Sequence, residues 1–337
     1  MKKYIISILL AFTAAAAASG QEKRMAVVEL STIYMRQKPD YESALETQEL
    51  MGTVVEIVGE SGYWREIISP QPYRAWATEK GLVEMTAEEL RAYEAAPKVM
   101  FMGLYGHIYK ERSFKSETIC DLVGGDIMRR ATSKEGKLKG KWTKVMLPSG
   151  RIGFVPTKEL KVHDEFISIA QGEGSAESIS DATMEAIIKE AEKLTGVPYL
   201  WGGMSAKGVD CSGLVRIAHI MNGILLPRNA SQQIRCGERI EMELDSRFWD
   251  EDFRAASKPE AFREEMTGRT KNLHRGDLVF FGTPATEAGP MRITHVGIYL
   301  GNGYMIHASH KVRINSLIPG ETDYYENAHR LVAAIRL

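Results

Sequence analysis

The C-terminal part of the chain opens with apolar positions that recur at a helical period. Charged residues occupy the opposite face of this segment, which predicts an amphipathic helix over residues 181–194. Ser180 and Asp181 are suitable caps at its start, and Gly196 ends it. The apolar positions of this helix are Met184, Ile187, Ile188, Ala191 and Leu194.

Farther along the chain the period changes to that of β-strands. A Gly-Asn-Gly turn at residues 301–303 joins two of the predicted strands as a hairpin. His295 lies early on one strand and His307 lies late on the next, so antiparallel pairing places both imidazoles at the same end. The predicted strands cover residues 276–281, 293–300 and 304–307.

The N-terminal part has short apolar runs broken by Gly, Pro, Ser and Lys, which is typical of strands joined by turns. Residues 26–163 contain two copies of one such β-rich unit, with a short helix between them at residues 86–96. Residues 171–180 have linker composition. The landmarks that recur at the same separation are Trp64 with Trp142 and Trp76 with Phe154.

Composition and the N-terminus restrict the compartment and the partners. A net charge of −1 over 337 residues provides no basic field for nucleic acid, so no nucleic-acid partner is expected. Residues 1–20 form a basic, then apolar, then small-residue pattern that predicts a secretory signal peptide. We therefore expect an exported protein, periplasmic or extracellular, that begins near Gln21 and keeps no transmembrane anchor after cleavage.

These boundaries predict several domains, as the length also requires. The predicted segments are a signal peptide at 1–20, a first β-rich domain with its connecting helix at 21–96, a second at 97–170, a linker at 171–180 and a C-terminal domain at 181–337.

Cys211 carries the most specific chemistry in the sequence. A second helical period over residues 214–220 places it at or near a helix N-terminus, where the helix dipole is expected to lower the thiol pKa. Backbone N–H groups there can also receive an oxyanion. His295 and His307 supply a base and a group that orients it, so the three residues predict a cysteine nucleophile with its base.

Other uses of these residues are less consistent with the sequence. Cys211, His295 and His307 could hold zinc, but a structural zinc site requires a fourth ligand and no CxxC or histidine pair lies nearby. No metal or cofactor is therefore predicted. Cys120 and Cys236 are expected to be two buried thiols rather than a disulfide scaffold. Trp201 is expected in a core.

Four motifs together resemble the NlpC-type cell-wall cysteine peptidases. The resemblance covers residues 180–337, and each preceding β-rich unit resembles a bacterial SH3-like barrel. It implies an α+β fold in which a papain-like domain follows two small all-β barrels. The whole arrangement is similar to the γ-D-glutamyl-L-diamino acid endopeptidases, also called dipeptidyl-peptidase VI. The motifs are GVPYLWGG at 196–203, DCSGLV at 210–215, GDLVFF at 276–281 and THVGIYLG at 294–301.

The resemblance assigns roles to individual residues. It implies that Cys211 is the nucleophile, His295 the general base and His307 the third polar residue, with Tyr199 near the thiol and the oxyanion. It also implies that four residues contact or border the bound dipeptide, namely Asp210, Ser212, Arg228 and Ser231.

In SH3-bearing relatives the first barrel closes one end of the cleft and holds the free amino group of L-Ala. The resemblance makes Tyr73 the tyrosine of that amine pocket. Ala44 occupies the position where relatives tend to carry Glu, so Glu42 or Glu46 would supply the carboxylate. An ammonium recognised in this way would be rejected once acylated.

Residues 245–272 form a charged insertion that includes Phe248, Trp249 and Phe253, where relatives have a short connection. Its composition favours a solvated surface helix, and a lid or wall over the cleft is the alternative.

These features predict a monomeric, secreted cysteine endopeptidase that cleaves between D-Glu and the diamino acid, diaminopimelate or Lys, of peptidoglycan stem peptides. The expected partners are peptides of the form L-Ala-γ-D-Glu-diamino acid, and the expected product is L-Ala-D-Glu. The alternatives are a peptidase or amidase that acts on the intact, glycan-linked wall, and a non-catalytic wall-binding protein.

Overall fold

A computed structural model describes residues 23–70, 72–131, 138–163, 169–170, 179–287 and 289–337. The predicted signal peptide and most of the predicted linker lie outside these residues. No helix among the described residues is long and apolar enough to span a membrane.

The first β unit is a seven-stranded antiparallel sheet around a small apolar core. Its strands are β1 (Arg24–Val28), β2 (Thr32–Arg36), β3 (Leu45–Leu50), β4 (Val54–Ser61), β5 (Trp64–Ile68), β6 (Arg74–Thr78) and β7 (Leu82–Met85). The strand order is β3-β2-β6-β5-β4-β1-β7. Helix α1 (Ala87–Ala95) follows, with a capping box between Thr86 and Glu89.

The second β unit repeats this topology. Its strands are β8 (Lys98–Phe101), β9 (Tyr105–Tyr109), β10 (Thr118–Val123), β11 (Ile127–Arg130), β12 (Trp142–Met146), β13 (Ile152–Pro156) and β14 (Leu160–Val162). Their order is β10-β9-β13-β12-β11-β8-β14, which is the order of the first unit with seven added to each strand number. Even the turn after the second strand recurs, because Ser43 Oγ accepts from the Lys38 amide and Ser116 Oγ from the Glu111 amide. Both all-β units fit SH3-like domains.

The C-terminal unit is α+β. Its helices are α2 (Asp181–Lys193), α3 (Cys211–Ile220), α4 (Ala230–Gln233), α5 (Glu251–Ala256) and α6 (Pro259–Thr270). Short strands β15 (Ile169–Ala170), β16 (Met204–Ser205), β17 (Gly208–Val209) and β18 (Ile224–Leu225) pair beside the main sheet. The main sheet contains β19 (Glu238–Arg239), β20 (Leu278–Thr283), β21 (Arg292–Gly301), β22 (Tyr304–Ser309), β23 (Lys311–Ser316) and β24 (Leu331–Arg336) in the order β19-β24-β20-β21-β22-β23.

Alternate residues of the main sheet face two different cores. Phe280 belongs to the core that α2 and α3 cover, whereas Phe281 belongs to the core on the other face. Met266 of α6 packs into that second core. The inserted segment therefore covers a sheet face.

Arg269 anchors the inserted segment to the main sheet. The side chain of Arg269 is fully buried and donates to the carbonyl oxygens of His329 and Leu331 at 2.8 and 3.0 Å. It also stacks on the Trp249 ring. The inserted helix is thus a surface helix as expected, exposed at residues 259–261, Arg263, Glu264 and Thr267, while apolar residues and a buried arginine fix its other face to the sheet.

The first β unit packs directly on the C-terminal unit. Gln48 Oε1 on β3 accepts from the Met204 amide at 2.9 Å. Lys207 Nζ donates to Ser31 Oγ of the first unit at 2.8 Å and forms an ion pair with the Asp121 carboxylate of the second unit at 2.5 Å. Polar side chains thus connect all three units beside the start of α3.

Candidate active site

Cys211 is the first residue of α3, and the residue before it caps the helix. The Asp210 carboxylate accepts from the Gly213 amide at 2.7 Å and from the Gly202 amide at 3.0 Å. The thiol is only 8% exposed and lies against the backbone amides of Ser212 and Val296. Because Val296 directly follows His295 on β21, the nucleophile and the predicted base belong to adjoining elements.

His295 and His307 contact each other as the hairpin register requires. The two side chains join through His295 Nε2 and His307 Nδ1 at 2.7 Å. The second ring nitrogen of His307 lies 2.8 Å from Asn315 Oδ1 on β23. The polar chain that begins at the base therefore has three members, and the third was not predicted from the sequence.

An aromatic wall encloses the histidine pair. The Tyr325 ring lies 4.7 Å from the His307 ring and 5.8 Å from the His295 ring, centroid to centroid. Phe281 packs edge-on against Tyr325 and tilts against His295. His307 is fully buried behind this wall and His295 is half-buried, so the hydrogen bond between them lies largely out of water and is strengthened.

Burial determines the protonation of the resting pair. It raises the pKa of the Cys211 thiol to about 12, and the neighbouring Asp210 carboxylate acts in the same direction. Burial lowers the pKa of His295 to about 3 and that of His307 to about 4. The expected lowering of the thiol pKa is therefore wrong in this enclosed site, since desolvation outweighs the hydrogen bonds from the backbone amides of Ser212 and Val296, which lower the pKa. Both shifts favour the uncharged forms of the thiol and of the imidazole.

Tyr199 lies at the same site. Its backbone amide donates to the His310 carbonyl at 2.8 Å, which fixes it beside β23. Burial raises the pKa of its hydroxyl, and the nearby Cys211 acts in the same direction. A half-buried, protonated phenol beside the thiol is a hydrogen-bond donor for a developing oxyanion.

Arg228 is buried under the start of α3 and is 2% exposed. Its two terminal nitrogens donate to the two carboxylate oxygens of Asp210, and one of them also reaches Ser212 Oγ at 2.9 Å. Its Nε donates to Thr47 Oγ1 on β3 at 3.0 Å. The arginine therefore links the helix that carries the nucleophile to the first β unit.

The structure separates the two carboxylates proposed for the amine pocket. Tyr73 donates from its hydroxyl to Asn229 Oδ1 and feels the charges of Arg228, Asp210 and Glu46. Glu46 thus lies with Tyr73 at the edge of the site, whereas Glu42 is exposed in the turn before β3.

Two further predicted positions lie on the surface. Ser231 is exposed on α4, two residues after Asn229. Trp201, expected in a core, is 65% exposed in the turn before Gly202. The core prediction is wrong for Trp201, because the turn carries this side chain outward.

The remaining polar chemistry is limited. Among the described residues, no group of three or more His, Cys, Asp or Glu side chains is arranged to hold a metal ion, and no disulfide joins Cys120 to Cys236. Burial raises the pKa of the Cys120 thiol to about 11.

Four residues of the site were not predicted from the sequence, namely Asn315, Tyr325, Thr47 and Asn229. Thr47, Asn229 and Tyr325 come from elements remote from the residue that each contacts, whereas Asn315 lies on the strand paired with that of His307. The one available signal was the polar Asn315 within the strand-like run after His307, since a polar residue buried in a sheet requires a partner.

The fold and this geometry define a thiol hydrolase of papain-like α+β architecture. Residues 196–330 match the NlpC/P60 family, and the C-terminal unit is thus an NlpC/P60 domain. The predicted resemblance, the fold class and the enzyme class of cysteine peptidase are confirmed.

Relatives extend the match over the β units. A γ-D-glutamyl-L-lysine dipeptidyl-peptidase of Bacillus cereus is 24% identical over 83% of this chain and 72% of its own length. Dipeptidyl-peptidase 6 of Lysinibacillus sphaericus is 25% identical over 88% of this chain and 93% of its own. The crystal structure of an NlpC/P60 family protein from Bacillus cereus covers 93% of this chain and 99% of its own with a TM-score of 0.66 at 20% identity.

Proposed function

We propose that this protein is an exported endopeptidase that cleaves the bond between γ-D-Glu and the diamino acid of peptidoglycan stem peptides whose L-Ala amine is free. The observation that carries the proposal is the arrangement around Cys211: its thiol contacts the Val296 amide beside the His295–His307 pair, and the preceding Asp210 pairs with Arg228, whose charge acts on Tyr73 together with that of Glu46. The names of relatives that match both regions support the same substrate class.

The first half-reaction follows from the neutral resting pair. His295 takes the thiol proton as Cys211 Sγ attacks the γ-carbonyl carbon of D-Glu, so the thiolate forms only as the bond forms. Backbone N–H groups at the start of α3 and the Tyr199 hydroxyl stabilise the oxyanion. The imidazolium then protonates the leaving amine of the diamino acid, which leaves a thioester on Cys211.

The second half-reaction hydrolyses the thioester and regenerates the free enzyme. His295 accepts a proton from a water molecule as that water attacks the thioester carbonyl. Collapse of the tetrahedral intermediate breaks the C–S bond, and the proton on His295 returns to Cys211 Sγ. The carboxylic acid released is L-Ala-D-Glu.

The amine pocket restricts which peptides enter. An ammonium at the cleft edge would meet the Glu46 carboxylate and the Tyr73 oxygen. Acylation of that nitrogen removes its charge and adds bulk. A stem peptide still attached to the glycan strand would therefore lose the charge interaction with Glu46 and would not fit the closed end of the site. The proposed substrate is therefore a peptide already released from the glycan.

Mass spectrometry of products from L-Ala-γ-D-Glu-diaminopimelate, with and without an acetylated N-terminus, tests this function. Release of L-Ala-D-Glu from the free-amine peptide alone, abolished in Cys211→Ala, supports both the bond and the pocket. Equal cleavage of both peptides would replace the proposal with an enzyme of the intact wall. No cleavage by the wild-type protein, together with its sedimentation with purified sacculi, would leave wall binding as the function.

A further inference from the structure

A base for Cys211 requires one particular proton arrangement on two histidines. Because His295 Nε2 is occupied by His307, its Nδ1 is the nitrogen left to accept the thiol proton. Nδ1 can accept only if the single proton of the neutral ring is on Nε2. His295 must then donate to His307 Nδ1, and His307 must carry its own proton on Nε2.

The opposite arrangement satisfies the same histidine contact and is inactive. If His307 Nδ1 donated to His295 Nε2, the His295 proton would lie on Nδ1 and point toward the thiol. Such a ring cannot take the proton from Cys211. The 2.7 Å contact between the histidines therefore cannot select the active arrangement by itself.

Asn315 removes this ambiguity because its amide has one acceptor end and one donor end. Its Nδ2 lies 2.5 Å from the carbonyl oxygen of Asp323, which can only accept. The Oδ1 end must therefore face His307 Nε2, 2.8 Å away, and accept the proton that this nitrogen carries. A flipped amide would set two oxygen atoms against each other at the Asp323 carbonyl.

The Asp323 carbonyl is itself held in place. It also accepts from the Ser316 amide at 3.0 Å, and the Tyr325 amide donates to the Ser316 carbonyl at 2.8 Å. Asp323 adopts a positive φ of 56°, which turns its carbonyl toward the end of β23. His307 is 0% exposed and Asn315 5% exposed, so bulk water does not compete for these groups.

We propose that Asn315 is a positioning residue that sets the tautomers of His307 and His295. The Asp323 carbonyl is the fixed end of this series of hydrogen bonds. Protons then point from His295 Nε2 to His307 Nδ1, from His307 Nε2 to Asn315 Oδ1, and from Asn315 Nδ2 to Asp323. This assignment rests on the proposed function for its catalytic meaning. Its chemistry can be measured without any peptide.

Two variants separate the acceptor end of the Asn315 amide from the rest of the side chain. Asn315→Ala removes the acceptor, so both tautomers of the pair become populated. Asn315→Asp keeps an oxygen acceptor for His307 Nε2–H, but it replaces the donor to Asp323 with a second oxygen and adds a negative charge. The conservative variant should therefore retain the active tautomers that the alanine variant loses.

The primary measurement is ¹⁵N NMR of the histidine rings at pH 8, where ordinary imidazoles are neutral. We expect His307 to carry its proton on Nε2 in the wild type and in Asn315→Asp, and to show mixed tautomers in Asn315→Ala. The second measurement is the rate of Cys211 alkylation by iodoacetamide at neutral pH. We expect it to fall about tenfold in Asn315→Ala, as part of the ~10² to 10⁴-fold contribution of a general base.

Asn272→Ala is the control, because Asn272 is exposed and donates to the Glu241 carbonyl far from the site. A His307 proton on Nδ1 in the wild type or in Asn315→Asp would overturn the proposal. Unchanged ring spectra and alkylation in a folded Asn315→Ala would also overturn it. If Asn315→Ala does not fold, the Asn315→Asp spectrum still decides. Intact tautomer selection without peptide cleavage would instead contradict only the proposed function.

Discussion

Arg228 donates to both carboxylate oxygens of Asp210, at 3.0 and 2.6 Å, one residue before Cys211. The same carboxylate caps α3, and the same arginine reaches Thr47 of the first β unit. The pair therefore fixes the position of Cys211 relative to both the Gly202 loop and the first β unit. The pair holds the start of α3 in place, and the Asp210 charge acts on the neighbouring Cys211 thiol.

Arg228→Met should strongly destabilise the protein, because it leaves the Asp210 carboxylate buried without its partner. Loss of one member of a buried pair costs about 3 to 5 kcal/mol. Chemical denaturation measures the loss as a lower free energy of unfolding. Arg74→Met is the matched control, since Arg74 makes an equally bidentate pair with Glu66 on the exposed surface and should change stability little. Equal losses in both variants would contradict the role of burial.

Glu46→Gln should weaken cleavage of the free-amine peptide through KM, because the ammonium loses a charged acceptor. A hydrogen bond to a charged group contributes about 1.5 to 3 kcal/mol, which corresponds to about 10- to 100-fold in kcat/KM. Glu42→Gln makes the same chemical change in the exposed turn and should leave kcat/KM unaltered. If the two variants exchange these effects in steady-state kinetics, Glu42 is the carboxylate of the pocket.

Gly213→Ala should lower stability and activity together. A Cβ at this position would lie 2.1 Å from the Gly203 carbonyl oxygen, so the start of α3 or the Gly203 loop must move. Gly268→Ala on α6 is the opposite case, because nothing in the described structure lies within 4 Å of its Cβ. There the helix propensity of alanine should raise stability by up to about 1 kcal/mol. Thermal unfolding of both variants, with peptide kinetics for the first, checks the contrast.

His219 should make the protein acid-sensitive. Burial lowers its pKa to about 4 from an ordinary value of about 6.5. Between these values the unfolded chain binds a proton that the folded chain does not, so stability is complete above pH 6.5 and falls as pH drops toward 4. His295 and His307 act with the same sign, whereas buried Glu49 and Asp126, whose pKa values are raised, act with the opposite sign.

His219→Leu isolates this contribution. His219 donates from Nδ1 to the Val215 carbonyl, and its Nε2 is buried with no partner among the described residues. The difference in unfolding free energy between the variant and the wild type should grow in favour of the variant by at most about 1.4 kcal/mol per pH unit below 6.5. If the unfolding free energies of the variant and the wild type change in parallel with pH, His219 does not cause the acid sensitivity. The exposed His274→Gln should follow the wild type.

Local patterns were sufficient for the helices and strands that carry the motif residues. The alternation of residues 293–300 and the turn at 301–303 place His295 and His307 at one end of a hairpin without reference to any other element. The period after Cys211 likewise places it at the start of α3. The repeated landmarks of the β units also depend on short-range spacing, which is why the duplication was visible in the sequence.

The sequence by itself placed Cys211 at a helix start, the two histidines at one end of a hairpin and the units in order, because each depends on periodicity and spacing within a short segment. Only the tertiary structure decided that Asn315 and Tyr325 contact His307, that Glu46 is half-buried where its charge acts on Tyr73 while Glu42 is exposed, and that burial raises the Cys211 pKa. These outcomes depend on which remote segments meet and on how much water they exclude. Neither quantity has a local signature in the chain.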